Sequence, residues 1–419
     1  MTGKALRCRG VYFVAIVALV VAQASAVFAA SKYKVLYTFT DGVDGGELRG
    51  SLVFDHAGNL YGTALSGGAY GVGTVFQVAP KRDGRWTETV LYSFKNDGND
   101  GNTPMAGLVF DKTGNLYGTT SGGGSDASGT VFQLSPNGNG TWTEQILHSF
   151  DGTDGMLPYT GALIFDKQGN SYGTTPYGGD YNTGIAFQLT KNGNGTWSAN
   201  VMHSFGSGLD GKTPIATLMV DRMGSLYGTT LFGGAHGSGT SGGTVFQLTA
   251  NGSGWDESVL HSFRTNGVDG RVPYAGLIFD KGGNLYGTAS EGGAYNDGTV
   301  FKLTPDGKGG WTERVLHAFA GTDGQVPYAS LIFDTAGNLY GTTYQGGEYG
   351  YGVVFKLAPD GKGGWAETVL HSFHDRPGAN PWANLIFDSA GNLFGTTAGL
   401  GGRTAGDSPT HGCVFEITP

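Results

Sequence analysis

The chain has 419 residues, 78 of them Gly, with 39% hydrophobic and 12% aromatic side chains and a formal net charge of −9. That much apolar material excludes a disordered polar chain, because it can bury enough surface to offset the ordering entropy. The acidic balance excludes a nucleic-acid or anionic-membrane footprint, which needs a basic face.

Residues 1–30 read as an export signal. Lys4, Arg7 and Arg9 make a basic start, residues 11–21 are an apolar run, and Ala24, Ser25, Ala26, Ala29 and Ala30 supply small residues for cleavage. The run is shorter than the roughly 20 residues a spanning helix needs, so no membrane span is expected. The segment holds three of the 25 bases and no acid, so the remainder has 22 basic and 34 acidic residues, a net of −12. The expected location is periplasm, cell surface or extracellular medium. Cys8 leaves with the signal and Cys413 then stands alone, which rules out an intrachain disulfide.

Residues 33–39 follow as a solitary strand pattern. After them the segment Gly58-Asn59-Leu60-Tyr61-Gly62-Thr63 returns with its Tyr at 117, 172, 227, 286 and 340 and as Phe394, at spacings of 54 to 59 residues. Each copy holds four short β-patterned runs separated by Gly-rich turns, and no 3.6-residue period appears. A repeated four-strand unit predicts propeller blades. The chain ends on a solitary third strand, residues 413–417, so copy seven lacks the fourth strand that the N-terminus has in surplus. The prediction is an all-β, seven-bladed β-propeller, four antiparallel strands per blade, occupying 31–419 as a single domain. Its last blade is completed by the N-terminal strand.

The Gly-Asn-Leu-Tyr-Gly-Thr-Thr, Gly-Gly and Gly-Thr-Val-Phe segments resemble the GloVer tandem-repeat family of secreted bacterial proteins. The resemblance covers residues 33–417. It implies an exported, propeller-like protein and brings no activity and no functional residues with it.

Chemistry-bearing motifs are sparse. The run Gly206-Ser207-Gly208-Leu209-Asp210-Gly211-Lys212-Thr213 spells a P-loop, but Pro214 and a β run follow where a helix must open, so no nucleotide is expected. His148, His203, His261, His317 and His371 share one fourth-strand position with Tyr37 and Tyr92, which suggests packing. No ligand set converges, so neither metal nor other cofactor is expected. The turn residues Asp55, Asp111, Asp166, Asp221, Asp280, Asp334 and Asp388 are read as caps of their own turns.

One face of the ring collects the long, variable loops, where binding residues tend to sit over a rigid scaffold. These loops place Tyr159, Tyr274, Tyr328 and Trp382 directly after Pro, and carry Asp154, Asp210, Asp269 and Asp323 in Asp-Gly steps. Aromatics beside carboxylates suit sugar rings or a flat protein patch. The same residues also read as turns and inter-blade packing. The leading expectation is a monomeric, non-catalytic module binding a glycan or an envelope protein. The alternatives are a polysaccharide lyase or hydrolase using carboxylates on that face, and a purely structural surface protein.

Overall fold

The computed structural model describes residues 31–399 and 411–419, apart from 96, 238, 240, 253 and 377. The expected export signal, residues 1–30, lies outside the described residues. The described residues form seven four-stranded antiparallel sheets and no helix. In blade 5 the strands, from the channel outward, are Ile278–Phe279, Leu285–Ala289, Thr299–Pro305 and Trp311–Ala318. The innermost strands of blades 1 to 7 are Val53–Phe54, Val109–Phe110, Ile164–Phe165, Met219–Val220, Ile278–Phe279, Ile332–Phe333 and Ile386–Phe387. The predicted seven-bladed propeller is present.

Closure follows the predicted phase. Lys32–Thr38 lies antiparallel on Cys413–Thr418 and serves as the fourth strand of blade 7, with Tyr33 opposite Ile417. Leu36, Phe39 and Val414 then share a buried cluster with Leu48, Leu52, Leu60 and Phe76 of blade 1, so both chain ends meet in one seam.

The core is a ring of such seams. At each one a buried Phe ending a fourth strand meets a Phe from the next blade's third strand. Phe39–Phe76, Phe94–Phe132 and Phe373–Phe415 have centroids 4.7, 5.1 and 5.2 Å apart. Aromatic pairs in such offset or edge geometry add roughly 0.5–1.5 kcal/mol beyond their buried area. The seam Phe also explains the Gly of Tyr-Gly-Thr, since a methyl group on Gly62 would lie 2.6 Å from Phe76 Cζ. Near the axis, second-strand Thr hydroxyls donate to the next blade's backbone. Thr63 reaches Ala106 O at 2.8 Å and Thr229 reaches Ala275 O at 2.9 Å. Blade 3 has one extra residue between Pro158 and Leu163, and there the buried Thr119 hydroxyl finds no partner.

Fourth strands each bulge by one residue opposite the third strand, for example between Val75 and Phe76. The bulge re-aims the following Tyr or His, which bears on the upper face below. On the lower face the repeated Asp caps its turn as predicted. Asp55 Oδ1 accepts from Ala57 N and Asn59 N at 2.8 and 2.9 Å, and Oδ2 accepts from Asn59 Nδ2 and the Tyr61 hydroxyl.

Candidate functional site

The upper face is built by loops entering the first strands and loops joining second to third. Backbone pairing ties the two sets together, as in Gly270–Arg271 with Glu291–Gly292. Six upper-loop Pro residues follow a residue with a left-handed backbone: Thr103, Leu157, Thr213, Val272, Val326 and Asn380 have φ of 58, 55, 61, 55, 55 and 58°. For β-branched residues this conformation is a genuine outlier, with strain of order 1–3 kcal/mol, and it persists only where neighbours over-determine it. They do here. Val326 N donates to Asp297 O of the preceding blade at 2.9 Å, and Val326 O accepts from Tyr344 N of its own blade at 3.0 Å. Val272 is held the same way between Gly242 O and Ser290 N. The Pro and aromatic that follow are therefore delivered in a fixed pose.

That pose gathers three of the four predicted aromatics. Tyr274 and Tyr328 have centroids 4.4 Å apart, Tyr328 and Trp382 4.5 Å, and Tyr274 and Trp382 6.2 Å. Tyr159 joins from across the ring: it packs with Tyr274 against Ile215, Leu231 and Val272, and its hydroxyl accepts from Arg49 Nη1 at 3.5 Å. Two further members were not anticipated. Tyr344 stands 5.1 Å from Trp382, and the Arg49 guanidinium lies 4.9 Å above the Trp382 ring. Arg49 was legible in the repeat register, where it takes the place that Tyr or Trp holds in copies three, five, six and seven. Tyr344 follows the Thr-Thr of its own copy, a position no motif marks.

Arg49 bonds Glu47 at 3.4 Å, and its Nε is buried without a partner. Burial pushes the phenols of Tyr274 and Tyr344 above their usual range and that of Tyr328 up to about 12, so all three stay protonated near neutrality. Beneath the cluster, Ser51, Thr217, Ser330 and Asn384 close the axis. Gly276 N donates to Ser330 Oγ, Ser330 N to Asn384 Oδ1 and Asn384 N to Ser51 Oγ, at 2.9, 2.6 and 3.1 Å. The hollow left there is about 20 Å³, room for roughly one water. A ligand on this face would lie across the aromatics and not enter the channel.

The predicted carboxylates sit apart from that cluster, at the blade seams. Asp154, Asp210, Asp269 and Asp323 lie 2.7, 3.0, 3.2 and 3.1 Å from Nε2 of His148, His203, His261 and His317 of the preceding blade. Asp44 and Asp100 bind Tyr37 and Tyr92 in the same way. The other oxygen of these loops' Asp often caps backbone, as Asp210 Oδ1 does for Gly206 N. This pairing, which sequence reasoning missed, gives the shared His/Tyr position its reason, since either side chain can reach the next blade's Asp. Copy seven lacks the Asp, and His371 stacks on Tyr33 at 3.9 Å instead. The P-loop lookalike forms no helix; Gly211–Lys212 pairs with Phe232–Gly233. Among the described residues, no group of three or more His, Cys, Asp or Glu is arranged to hold a metal ion.

The family model described as Gloeobacter/Verrucomicrobia repeat matches residues 24–164, 139–309 and 240–419. None of the curated proteins matches the chain by sequence. Among solved structures, a protein from Lactobacillus plantarum is similar at 14% identity and a TM-score of 0.52, over 86% of this chain and 99% of that one. That likeness is one of fold alone. A luciferin-regenerating enzyme matches at 16% identity and a TM-score of 0.43, over 75% of this chain and 91% of its own, too loosely to bear on chemistry.

Proposed function

The chain belongs to the Gloeobacter/Verrucomicrobia repeat family, and from that premise we infer that it is an exported, non-catalytic module that binds a glycan across its upper face. The observation that carries this reading is the pinned aromatic platform of Tyr159, Tyr274, Tyr328 and Trp382, set above a closed axis. Aromatic faces offer a sugar ring a large apolar contact at little conformational cost, and the phenol and guanidinium edges supply polar partners. Exposure on this face supports it. Of the ten exposed large hydrophobic residues among those described, eight lie on upper loops, including Tyr70, Tyr181, Tyr295 and Tyr349. The engagement of Asp154, Asp210, Asp269 and Asp323 in seam pairs favours binding over carboxylate catalysis.

The test is a glycan and envelope-extract screen with the full chain and with Tyr274→Ala, Tyr328→Ala and Trp382→Ala combined. Truncating stacked aromatics at a hot spot typically loses about 2 kcal/mol or more, some 30-fold in affinity. The triple variant should lose that much while melting unchanged within a few degrees. Turnover of a polysaccharide, abolished by changing one upper-face acid, would replace this reading with the enzymatic one.

A further inference from the structure

A second hollow opens on the opposite face. It measures about 1250 Å³ and is lined by the lower turns of blades 3, 4 and 5, with Phe165, Val220 and Phe279 at its inner wall and Trp311 at its outer one. Directly after the capping Asp, these three turns carry Lys167, Arg222 and Lys281, and the neighbouring blade 2 carries Lys112. The same position holds His56, Thr335 and Ser389 in blades 1, 6 and 7. The cations thus cluster on the side where the hollow lies.

The accompanying acids are engaged. Asp166 accepts from Gln168 N, Asn170 N, Asn170 Nδ2 and the Tyr172 hydroxyl, all within 3.0 Å. Asp280 has the equivalent four donors, and Asp221 has three, from Met223 N, Ser225 N and Tyr227. Lys167, Arg222 and Lys281 are exposed and make no hydrogen bond or ion pair among the described residues. The two faces also differ in overall charge. Described upper loops hold sixteen acids against six Lys or Arg, whereas the lower turns hold ten against nine. An anion approaching this chain meets less net repulsion from below than from above.

We propose that the lower hollow is a second binding site, which takes a carboxylate-bearing oligosaccharide of the uronate class. Its acid groups pair with Lys167, Arg222 and Lys281, while its rings lie against Phe165, Phe279 and Trp311. The apolar inner wall selects a sugar chain over a compact inorganic anion, because cations alone would hold the latter equally well. This site is independent of the upper platform.

Titration calorimetry of the full chain with tetragalacturonate at 50 mM salt tests it, with an uncharged galactose oligosaccharide of equal length and a Glu tetrapeptide as comparisons. Lys167→Gln, Arg222→Gln and Lys281→Gln combined should weaken uronate binding by about 30-fold, as expected for three exposed ion pairs. Replacement of both lysines by Arg should retain it. These turns are solvent-facing, so melting should not move, and a melting curve checks that each variant is folded. The upper-face triple Ala variant should bind the uronate like the parent, which separates failure here from failure of the platform. Absence of uronate binding, equal binding by the Gln variant, or equal binding of the Glu peptide or the neutral sugar would overturn the proposal.

Discussion

Gly228 shows how tightly each residue of the repeat is specified. A methyl group there would stand 2.5 Å from Phe246 Cζ and 2.8 Å from a Leu218 methyl, and Phe246 is fully buried within its seam. Its backbone is ordinary strand, so the requirement is steric and not conformational. Overpacking a closed core typically costs about 1–3 kcal/mol. Gly228→Ala should lower the melting temperature by several degrees in a circular dichroism scan; an unchanged transition would mean that the blade has slack the contact distances deny. The repeat displayed this Gly in the sequence, but the reason for it needed the third-strand Phe of the same blade to fold over it. The same holds for the fourth-strand His and Tyr. Their interchange was visible, and so was an Asp six to eight residues downstream of all but His371; the turn of the loop that brings that Asp back onto the side chain was not.

At the level of elements, Lys32–Thr38 does two jobs. It supplies the outer edge of blade 7 and carries Tyr33 onto His371 of blade 6 at 3.9 Å, in parallel stacking. Burial and then the neighbouring His374 hold His371 down at about 4, so the stacked imidazole is neutral near neutrality. Deleting residues 31–40 would bare the edge of Cys413–Thr418, expose Cys413 to solvent and leave an unpaired strand ready to pair with another chain. The expected result is a lower melting temperature together with oligomers in size-exclusion chromatography. A monomer with the parent's melting point would show that the ring closes without this strand. The closure was legible from the phase of the repeat alone, since one surplus fourth strand and one missing fourth strand leave a single economical pairing.

Across the whole molecule, the seams carry a titration that the single blades do not. Glu88, Glu144, Glu257, Glu313 and Glu367 each keep a buried Oε1 without a hydrogen-bond partner. Burial first, and then a nearby Asp, raises each from 4.5 to about 7. The facing groups are Asp44 for Glu88; Asp100, Asp97 and Lys95 for Glu144; Asp210 and His203 for Glu257; Asp269, His261 and Arg264 for Glu313; and Asp323 for Glu367. A carboxyl raised on folding binds its proton more tightly in the native state. Its stabilisation is complete below about pH 4.5, declines as pH rises, and is gone above about 7. Turn acids such as Asp55 work oppositely: burial opposes ionisation, but donors from Asn59, Tyr61 and Ala57 prevail and lower it, so their contribution fails only in stronger acid. Melting temperature should therefore fall between about pH 5 and pH 8, and replacing the five Glu by Gln should flatten that slope. A parent curve that is flat or rising over this range would refute the seam titration.

Secondary-structure type, blade number, strand order and the closing strand were all determined by the sequence, because a repeat of period near 55 states the same local pattern seven times and its phase states the topology. The turn-capping Asp belonged to that local information as well, acting two to six residues from itself. What only the tertiary structure decided lies between blades. It brought Tyr274, Tyr328 and Trp382 into one cluster with Arg49 and Tyr344, drew Asp154, Asp210, Asp269 and Asp323 away to the His side chains of the preceding blades, and placed the large hollow beneath the ring. The aromatic cluster and the hollow depend on the angle at which one blade packs on the next. That angle is set by the Phe–Phe seams and by strained residues such as Val326, whose left-handed backbone is imposed by hydrogen bonds from two separate blades and cannot be read from Val326 itself.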